Sequence, residues 1–342
     1  MNFAIIGCGH ITLRHAEALQ SLPNTTLVAL CDTEEERVNQ YAESYNAQAY
    51  TDYHLMLERP DIDVVTVCVP SGLHTQIGID VAKAGKHVLV EKPIALTLAD
   101  ADELICVCHE EKVNLAVVLQ NRFNPPMVAL RNALDEQRLG RILLGNATVR
   151  WYRPQSYYDV GWRGTWAMDG GILLNQAIHH IDALAWLIGD VHSVFAYMDT
   201  LAHNIEVPDV CVATVRFKNG AVATIEASTL TYPHNLEGSV AIFGEKGSIK
   251  VGGTALNQTE FWKVAGDLER ENEILIQEHE SAPTSRGYSH QQQIAEMVCA
   301  IEEGRPASTS GAEARKSLEL VLAIHESTNL GREVLIDHPE LP

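Results

Sequence analysis

The first 120 residues alternate short apolar runs with segments of helical spacing, and this alternation leaves few architectures open. The runs "FAIIG", "TLVALCD", "VVTVCVP", "HVLVEKP" and "NLAVVLQ" are rich in Val, Ile and Leu. A strand that is apolar on both sides must be covered on both faces, as in a parallel sheet held between helices. The segments between them, such as "ITLRHAEALQSL" and "HTQIGIDVAKAG", carry helical periodicity, and the second ends at Gly85, a suitable helix stop. The order β-α-β-α-β predicts a doubly wound nucleotide-binding half.

After about residue 120 the texture changes. "ILLGNATVRWY", "SVFAYMDTLAH", "CVATVRFKNGAVATIEAST", "SVAIFGEKGSIKV" and "TEFWKV" read as strands joined by tight turns. Asn219-Gly220 between two alternating runs is a strong hairpin signal. One long helix over 172–188 is inserted early, and 288–303 and 311–328 read as two closing helices. The expected fold is α/β: a Rossmann parallel sheet followed by an α+β domain with an open, mainly antiparallel sheet. The boundaries expected are 1–120 for the nucleotide-binding domain and 121–342, with closing helices 288–328, for substrate binding and oligomerisation.

At 342 residues the chain can bury two cores. It has no apolar run of about 18 residues that could span a bilayer. Its start, "MNFAIIGCGH", lacks the basic segment and cleavage site of a signal peptide, so the expected location is the cytoplasm. The seven cysteines form no CxxC pair, which argues against a structural zinc, and no metal is expected. A formal net charge of −20 speaks against nucleic acid and anionic membranes as partners. A small anionic ligand would need a local cluster of Arg.

The segment "IIGCGHIT" follows the first strand and opens a helix. Gly7 allows a tight turn, and Gly9, with His10 and Ile11, lets backbone N–H groups approach a pyrophosphate. The third glycine of the dinucleotide fingerprint is absent, and Thr12 stands near its place. The second strand ends in Asp32, which can accept hydrogen bonds from ribose hydroxyls and repels a 2′-phosphate, favouring NAD over NADP. A turn or N-cap role is the plain alternative for Asp32. Two further strand ends carry Pro70, Ser71 and His74, and Glu91, Lys92 and Pro93. Ligands of open parallel sheets sit at such ends, and Lys92, held extended before a proline, is aimed into the cleft.

The motifs "GCGH", "CVPSGLH", "EKPIAL" and the helix ending in "HID" together resemble the Gfo/Idh/MocA oxidoreductases over essentially the whole chain. The resemblance implies nicotinamide-dependent oxidation or reduction of a sugar or polyol, with catalytic Lys and His roles that map onto Lys92 and His179. Within the family, the stretch from "QNRFNPPM" to "NQAIHHID" is similar to UDP-N-acetyl-glucosaminuronate 3-dehydrogenases of surface-polysaccharide synthesis. Many family members have Asp four residues before the catalytic His; this chain has Asn175, as that branch does.

On the predicted helix Asn175, His179, Asp182 and Trp186 recur as one stripe, with Gln176 and His180 on the adjoining row. His179 suits a general base, and Lys92 can stabilise a developing alkoxide. Asn175 adds no charge to stabilise an imidazolium, which leaves open whether Lys92 or His179 takes the proton. His180 reads as a hydrogen-bonded neighbour. Arg122, Asn124, Arg153, Tyr158, Arg163, Asn175, Gln176 and His179 are the candidate substrate-binding residues, since guanidinium forks pair with carboxylate or phosphate and aromatic faces stack on sugars or bases. The expectation is an NAD-dependent dehydrogenase of the C3 hydroxyl of a UDP-linked N-acetylglucosaminuronic acid, acting as a homodimer or homotetramer. Alternatives are a family member acting on a free sugar or inositol, and a non-catalytic dinucleotide-binding regulator.

Overall fold

In the computed structural model, which describes residues 1–266 and 287–336, the chain divides into two units. One holds residues 1–120 and 287–315, the other residues 121–266 and 316–336.

The first unit is built on six strands, β1 (Asn2–Ile6), β2 (Thr26–Cys31), β3 (Gln48–Tyr50), β4 (Val64–Val67), β5 (His87–Val90) and β6 (Leu115–Val117). All pair in parallel in the order β3-β2-β1-β4-β5-β6. Their connections are α1 (Thr12–Ser21), α2 (Glu35–Tyr45), α3 (Tyr53–Leu57), α4 (His74–Lys83) and α5 (Leu98–Glu110). Five of the six strands are the predicted apolar runs; β3 was missed because "QAY" is too short to show a period. The strand order places the ends of β1 and β4 side by side, where the chain reverses direction across the sheet. This is where such folds hold nucleotides.

The second unit opens with α6 (Pro125–Asp135), β7 (Ile142–Arg150), α7 (Gln155–Tyr158), α8 (Gly171–Asn175) and α9 (Ile178–Ile188). The strands β8 (Val191–Asp199), β9 (Val210–Phe217), β10 (Val222–Ser228), β11 (Glu237–Gly244), β12 (Gly247–Gly252) and β13 (Gln258–Val264) follow, and later β14 (Val334–Leu335). They form an eight-stranded sheet, β13-β12-β11-β7-β10-β9-β8-β14, antiparallel except between β7 and β10. Gly220, at φ +89°, turns the predicted Asn-Gly hairpin. In β9 and β10 burial alternates strictly through Cys211, Ala213, Val215, Ala223, Ile225 and Ala227. One face is therefore core and the other is open. The core face lies under α9: a Cβ on Gly145 of β7 would stand 2.4 Å from Ile188 and 2.9 Å from Leu184.

Two expectations need correction. The long helix over 172–188 is two helices, α8 and α9, broken at Gln176–Ala177. The N–H groups of both residues bond the carbonyl of Ile172, so the ladder loses its register there, a local widening of the turn often found at functional sites. The second correction concerns α10 (Tyr288–Glu302), assigned from sequence to the second domain along with α11 (Gly311–Leu330). Instead, Ile294, Met297 and Val298 of α10 share a core with Phe3, Ile5, Leu19 and Leu89 of the first unit. Gln293 of α10 donates to the Val117 carbonyl of β6 at 2.6 Å. The residues of α11 are divided between the units, and residues 267–286 and 337–342 of the proposed second domain lie outside the described residues.

Candidate active site

At the end of β1 the chain turns at Gly7 with φ +95°. A side chain there would meet the Cys68 carbonyl oxygen at 2.5 Å, so the crossing of β1 and β4 requires glycine. A Cβ on Gly9 would meet nothing within 4 Å; the protein itself leaves room over this backbone. Thr12, where a third glycine would stand, is fully buried and bonds the Gly7 carbonyl through Oγ1 at 2.6 Å. The hydroxyl thus ties the loop to the helix that follows. His10 is exposed and Ile11 precedes the first residue of α1.

Asp32, at the end of β2, accepts from the Cys8 N–H at 2.6 Å through Oδ2 and from the Glu34 N–H at 2.9 Å through Oδ1. It is therefore both a turn residue and a brace for the glycine loop. Each carboxylate oxygen has further acceptor capacity, so these bonds leave Asp32 able to receive ribose hydroxyls. Arg37 lies 3.4 Å from both oxygens. The open backbone at Gly9 beside an acceptor at Asp32 fits a dinucleotide.

After β4, Pro70 precedes a single turn, Ser71–Leu73, that leads into α4. His74 is buried, with Nδ1 2.7 Å from the Pro93 carbonyl and Nε2 2.9 Å from that of Val69. Burial depresses its basicity, and a neutral ring donates to only one of these carbonyls at a time. It thereby holds the loop after β5 against the end of β4.

Glu91, also buried, accepts from the Lys92 N–H at 3.2 Å through Oε2, and its Oε1 lies 2.8 Å from His15 Nε2. Burial pushes the Glu91 carboxyl up, but the His15 hydrogen bond and the neighbouring histidines and Lys92 more than offset this and hold it at about 2. His290 of α10 packs edge-on to His15, the ring centroids 5.2 Å apart. Sequence reasoning gave His15 and His290 no role, because nothing local links residues 15, 91 and 290. Glu91 thus braces the end of β5 against α1.

In the second unit Asn175 ends α8 and His179 lies in the first turn of α9, both half-buried. Asn175 donates through Nδ2 to Asp169 Oδ1, and Asp169 Oδ2 accepts from the Gly164 N–H at 2.9 Å. Gln176 donates to Asn175 Oδ1 at 3.3 Å and to the Tyr157 hydroxyl at 2.8 Å, while its carbonyl accepts from Arg153 at 2.7 Å. Tyr158, Asp169, Asn175 and Gln176 line a small recess. Arg163 stacks over Tyr157 at 4.1 Å, and Arg153 lies 5.4 Å from the same ring and 5.1 Å from Trp151. Tyr158 is buried, donates to Thr229 at 3.1 Å, and has its phenol pushed up to about 12 by burial. Asp169 was missed by sequence reasoning; it sits in a loop without periodicity.

One further assignment changes, that of His180, and two residues named as substrate contacts have partners within the fold. Arg122 forms a buried bidentate pair with Asp182, both bonds 2.8 Å, and Ser317 donates to Asp182 at 2.6 Å. This charge-assisted pair ties the start of the second unit to α9 and, through Ser317, to α11. Asn124, also buried, donates to the Ala255 carbonyl at 2.5 Å and precedes α6. His180 is 1% exposed, with no hydrogen-bond partner for either ring nitrogen among the described residues. Burial lowers its pKa to about 4, so it is a neutral ring packed edge-on to Trp151 at 5.7 Å and not a hydrogen-bonded neighbour of His179.

Comparison with known proteins agrees with this layout. Residues 1–119 match the model of the oxidoreductase family with an NAD-binding Rossmann fold, and residues 127–250 match the GFO/IDH/MocA C-terminal domain. The WlbA dehydrogenase of Bordetella pertussis, crystallised with NADH and UDP-GlcNAcA, is 37% identical, covers 98% of both chains and superposes with a TM-score of 0.92. Its counterpart from Chromobacterium violaceum, in complex with the same two ligands, is 38% identical over 99% of this chain and 97% of its own, with a TM-score of 0.91. Myo-inositol 2-dehydrogenase of Thermotoga maritima is 27% identical over 98% of this chain and 99% of its own. The chain belongs to the Gfo/Idh/MocA family of NAD-dependent oxidoreductases.

Proposed function

We propose that this NAD-dependent sugar dehydrogenase oxidises the C3 hydroxyl of UDP-linked N-acetylglucosaminuronic acid, as a cytoplasmic step in supplying surface-polysaccharide precursors. The observation that carries the reading is the pair of guanidiniums, Arg153 and Arg163, on the ring of Tyr157. In a protein of net charge −20 they form a local cationic, aromatic surface suited to a carboxylate- and phosphate-bearing sugar. Two structural relatives 37% and 38% identical, crystallised with UDP-GlcNAcA, support it.

In this reading Gly7, Gly9, His10, Ile11, Asp32, Pro70 and Ser71 hold the cofactor, with Asp32 accepting from the ribose hydroxyls. Bound NAD supplies the hydride acceptor. Oxidation removes the hydroxyl proton as the C3–H hydride leaves, and a ketone forms. His179 receives that proton, and Lys92 hydrogen-bonds the same oxygen and stabilises its developing negative charge. Arg153, Arg163 and Gln176 orient the sugar nucleotide. The open face of the eight-stranded sheet pairs with a second copy, giving a homodimer or homotetramer.

A free sugar or inositol is the competing substrate class, favoured by the similarity to myo-inositol 2-dehydrogenase. A thermal-shift and NADH-formation screen with UDP-N-acetylglucosamine, its uronic acid and myo-inositol decides between them. The proposal expects stabilisation and turnover with the uronic acid. Activity on myo-inositol alone would overturn it.

A further inference from the structure

The loop between β8 and β9, residues 200–209, is gathered around one carboxylate. Asp209 is fully buried and accepts from the N–H groups of Leu201, Ala202 and His203 at 2.9, 3.1 and 3.1 Å. Its Oδ2 also lies 2.8 Å from His203 Nδ1. Burial pushes this carboxyl up, but the bonds from the backbone and from His203 more than offset that and hold it below the ordinary range. On the far edge of the ring, Nε2 lies 2.8 Å from the backbone carbonyl of Arg153. Both of these oxygens only accept. Serving both takes an imidazolium, and Asp209 supplies its counter-charge. Tyr158 packs against the ring at 4.9 Å, and the His203 side chain is 8% exposed. The same loop reaches further along the segment that follows Arg153. The Asn204 N–H donates to Gln155 at 2.8 Å, and the Glu206 N–H to the Gly164 carbonyl at 2.9 Å.

Arg153 lies outside any helix or named strand, just ahead of Pro154. Its N–H donates to the Thr229 carbonyl at 3.1 Å, and its own carbonyl meets the His203 ring. The aim of the side chain follows from a backbone fixed in this way. Nη1 donates to the Tyr152 carbonyl at 2.7 Å and to Asn235 at 3.1 Å, and Nη2 to Gln176 at 2.7 Å. These bonds use three of the five guanidinium donors and leave two for an anion. We infer that His203 is a positioning residue: clamped by Asp209, it fixes the backbone of Arg153 and thereby the direction in which the guanidinium meets the anionic part of the substrate. The inference rests on the reading of Arg153 as a substrate contact given above, and adds the pair of residues that aims it.

Two conservative variants separate the two ends of the ring. In His203→Asn the amide overlays Nδ1, keeps the bond to Asp209 and loses the one to Arg153. In His203→Gln the longer amide overlays Nε2, keeps the bond to Arg153 and loses the one to Asp209. Steady-state kinetics on whichever screened substrate the wild type turns over are measured with melting temperature and NAD affinity. His203→Asn should raise the substrate KM about tenfold, with kcat and NAD affinity changed by less than about threefold. His203→Gln should keep KM within about threefold of wild type and show the larger fall in melting temperature. In an Arg153→Ala background, His203→Asn should cost less than about twofold more, because the residue it aims is gone. The opposite ranking of the two variants on KM overturns the inference. So does a KM that follows melting temperature in both, or a full second loss in the Arg153→Ala background. Arg153→Ala with a wild-type KM refutes the substrate role of Arg153 itself, and with it the inference. Failure of the wider substrate reading shows separately, as wild-type turnover of myo-inositol but not of the uronic acid.

Discussion

Gly7 and Gly9 look alike in the sequence, and the structure separates them. At Gly7 a methyl group faces both a positive φ and a backbone oxygen at 2.5 Å. Gly7→Ala should therefore cost about 3 kcal/mol or more of stability. At Gly9 a methyl meets no protein atom within 4 Å, so Gly9→Ala should keep its melting temperature while NAD affinity falls about tenfold or more, because the backbone can no longer approach the pyrophosphate closely. Thermal unfolding and calorimetric titration of NAD on both variants check this; equal behaviour of the two would contradict it. Other residues were less legible. Arg122 and Asn124 were named from their place after a strand, and the partners the structure gives them, Asp182 and Ala255, lie 60 and 131 positions away. No local pattern reveals such a partner, and a buried Arg–Asp pair has the same sequence signature as a ligand-binding Arg. The place of Asp32 at the end of β2 was legible, because the apolar pattern defined where that strand stops.

Three helices each carry a histidine whose neutrality is enforced by burial: His180 in α9, His290 in α10 and His325 in α11, all held at about 4. In the unfolded chain these rings titrate near 6.5. Between these values the unfolded state binds more protons, so stability falls as pH drops from about 6.5 to about 4. The loss amounts to up to about 3 kcal/mol for each fully buried ring, and less for the half-buried His325. Glu91, held at about 2, adds a second loss between about 4.5 and 2. Urea unfolding across this range should show the decline beginning near pH 6.5; a flat profile down to pH 5 would contradict it. At the element scale the sequence was strong on strands and weak on helix continuity. Periodicity identified 172–188 as helical but could not show the break at Gln176–Ala177, since nothing in "LLNQAIHH" forbids a helix. It also predicted the helix at 288–303 without showing which core it joins, because an amphipathic stripe states that a face is buried and not against what.

On the whole molecule, the open face of the eight-stranded sheet displays Leu144, Tyr197, Val212 and Val222, all exposed, with Phe243 beside Leu144. Toward its other side, Arg150, Glu226, Glu237, Lys250 and Glu260 form a linked set of ion pairs. A sheet with an apolar, ordered outer face is suited to packing on a second copy of itself. Val212→Lys, at 52% exposure, should leave the fold intact and shift the sedimenting species toward monomer; an unchanged oligomer would exclude this face. The proposed oxidation takes place at one carbon, and isotope transfer follows the hydride that leaves it. UDP-N-acetylglucosaminuronic acid deuterated at C3 is incubated with the enzyme and NAD, and the nucleotide product is analysed by mass spectrometry. The NADH formed should carry the deuterium; unlabelled NADH, or no NADH at all, would rule out oxidation at C3.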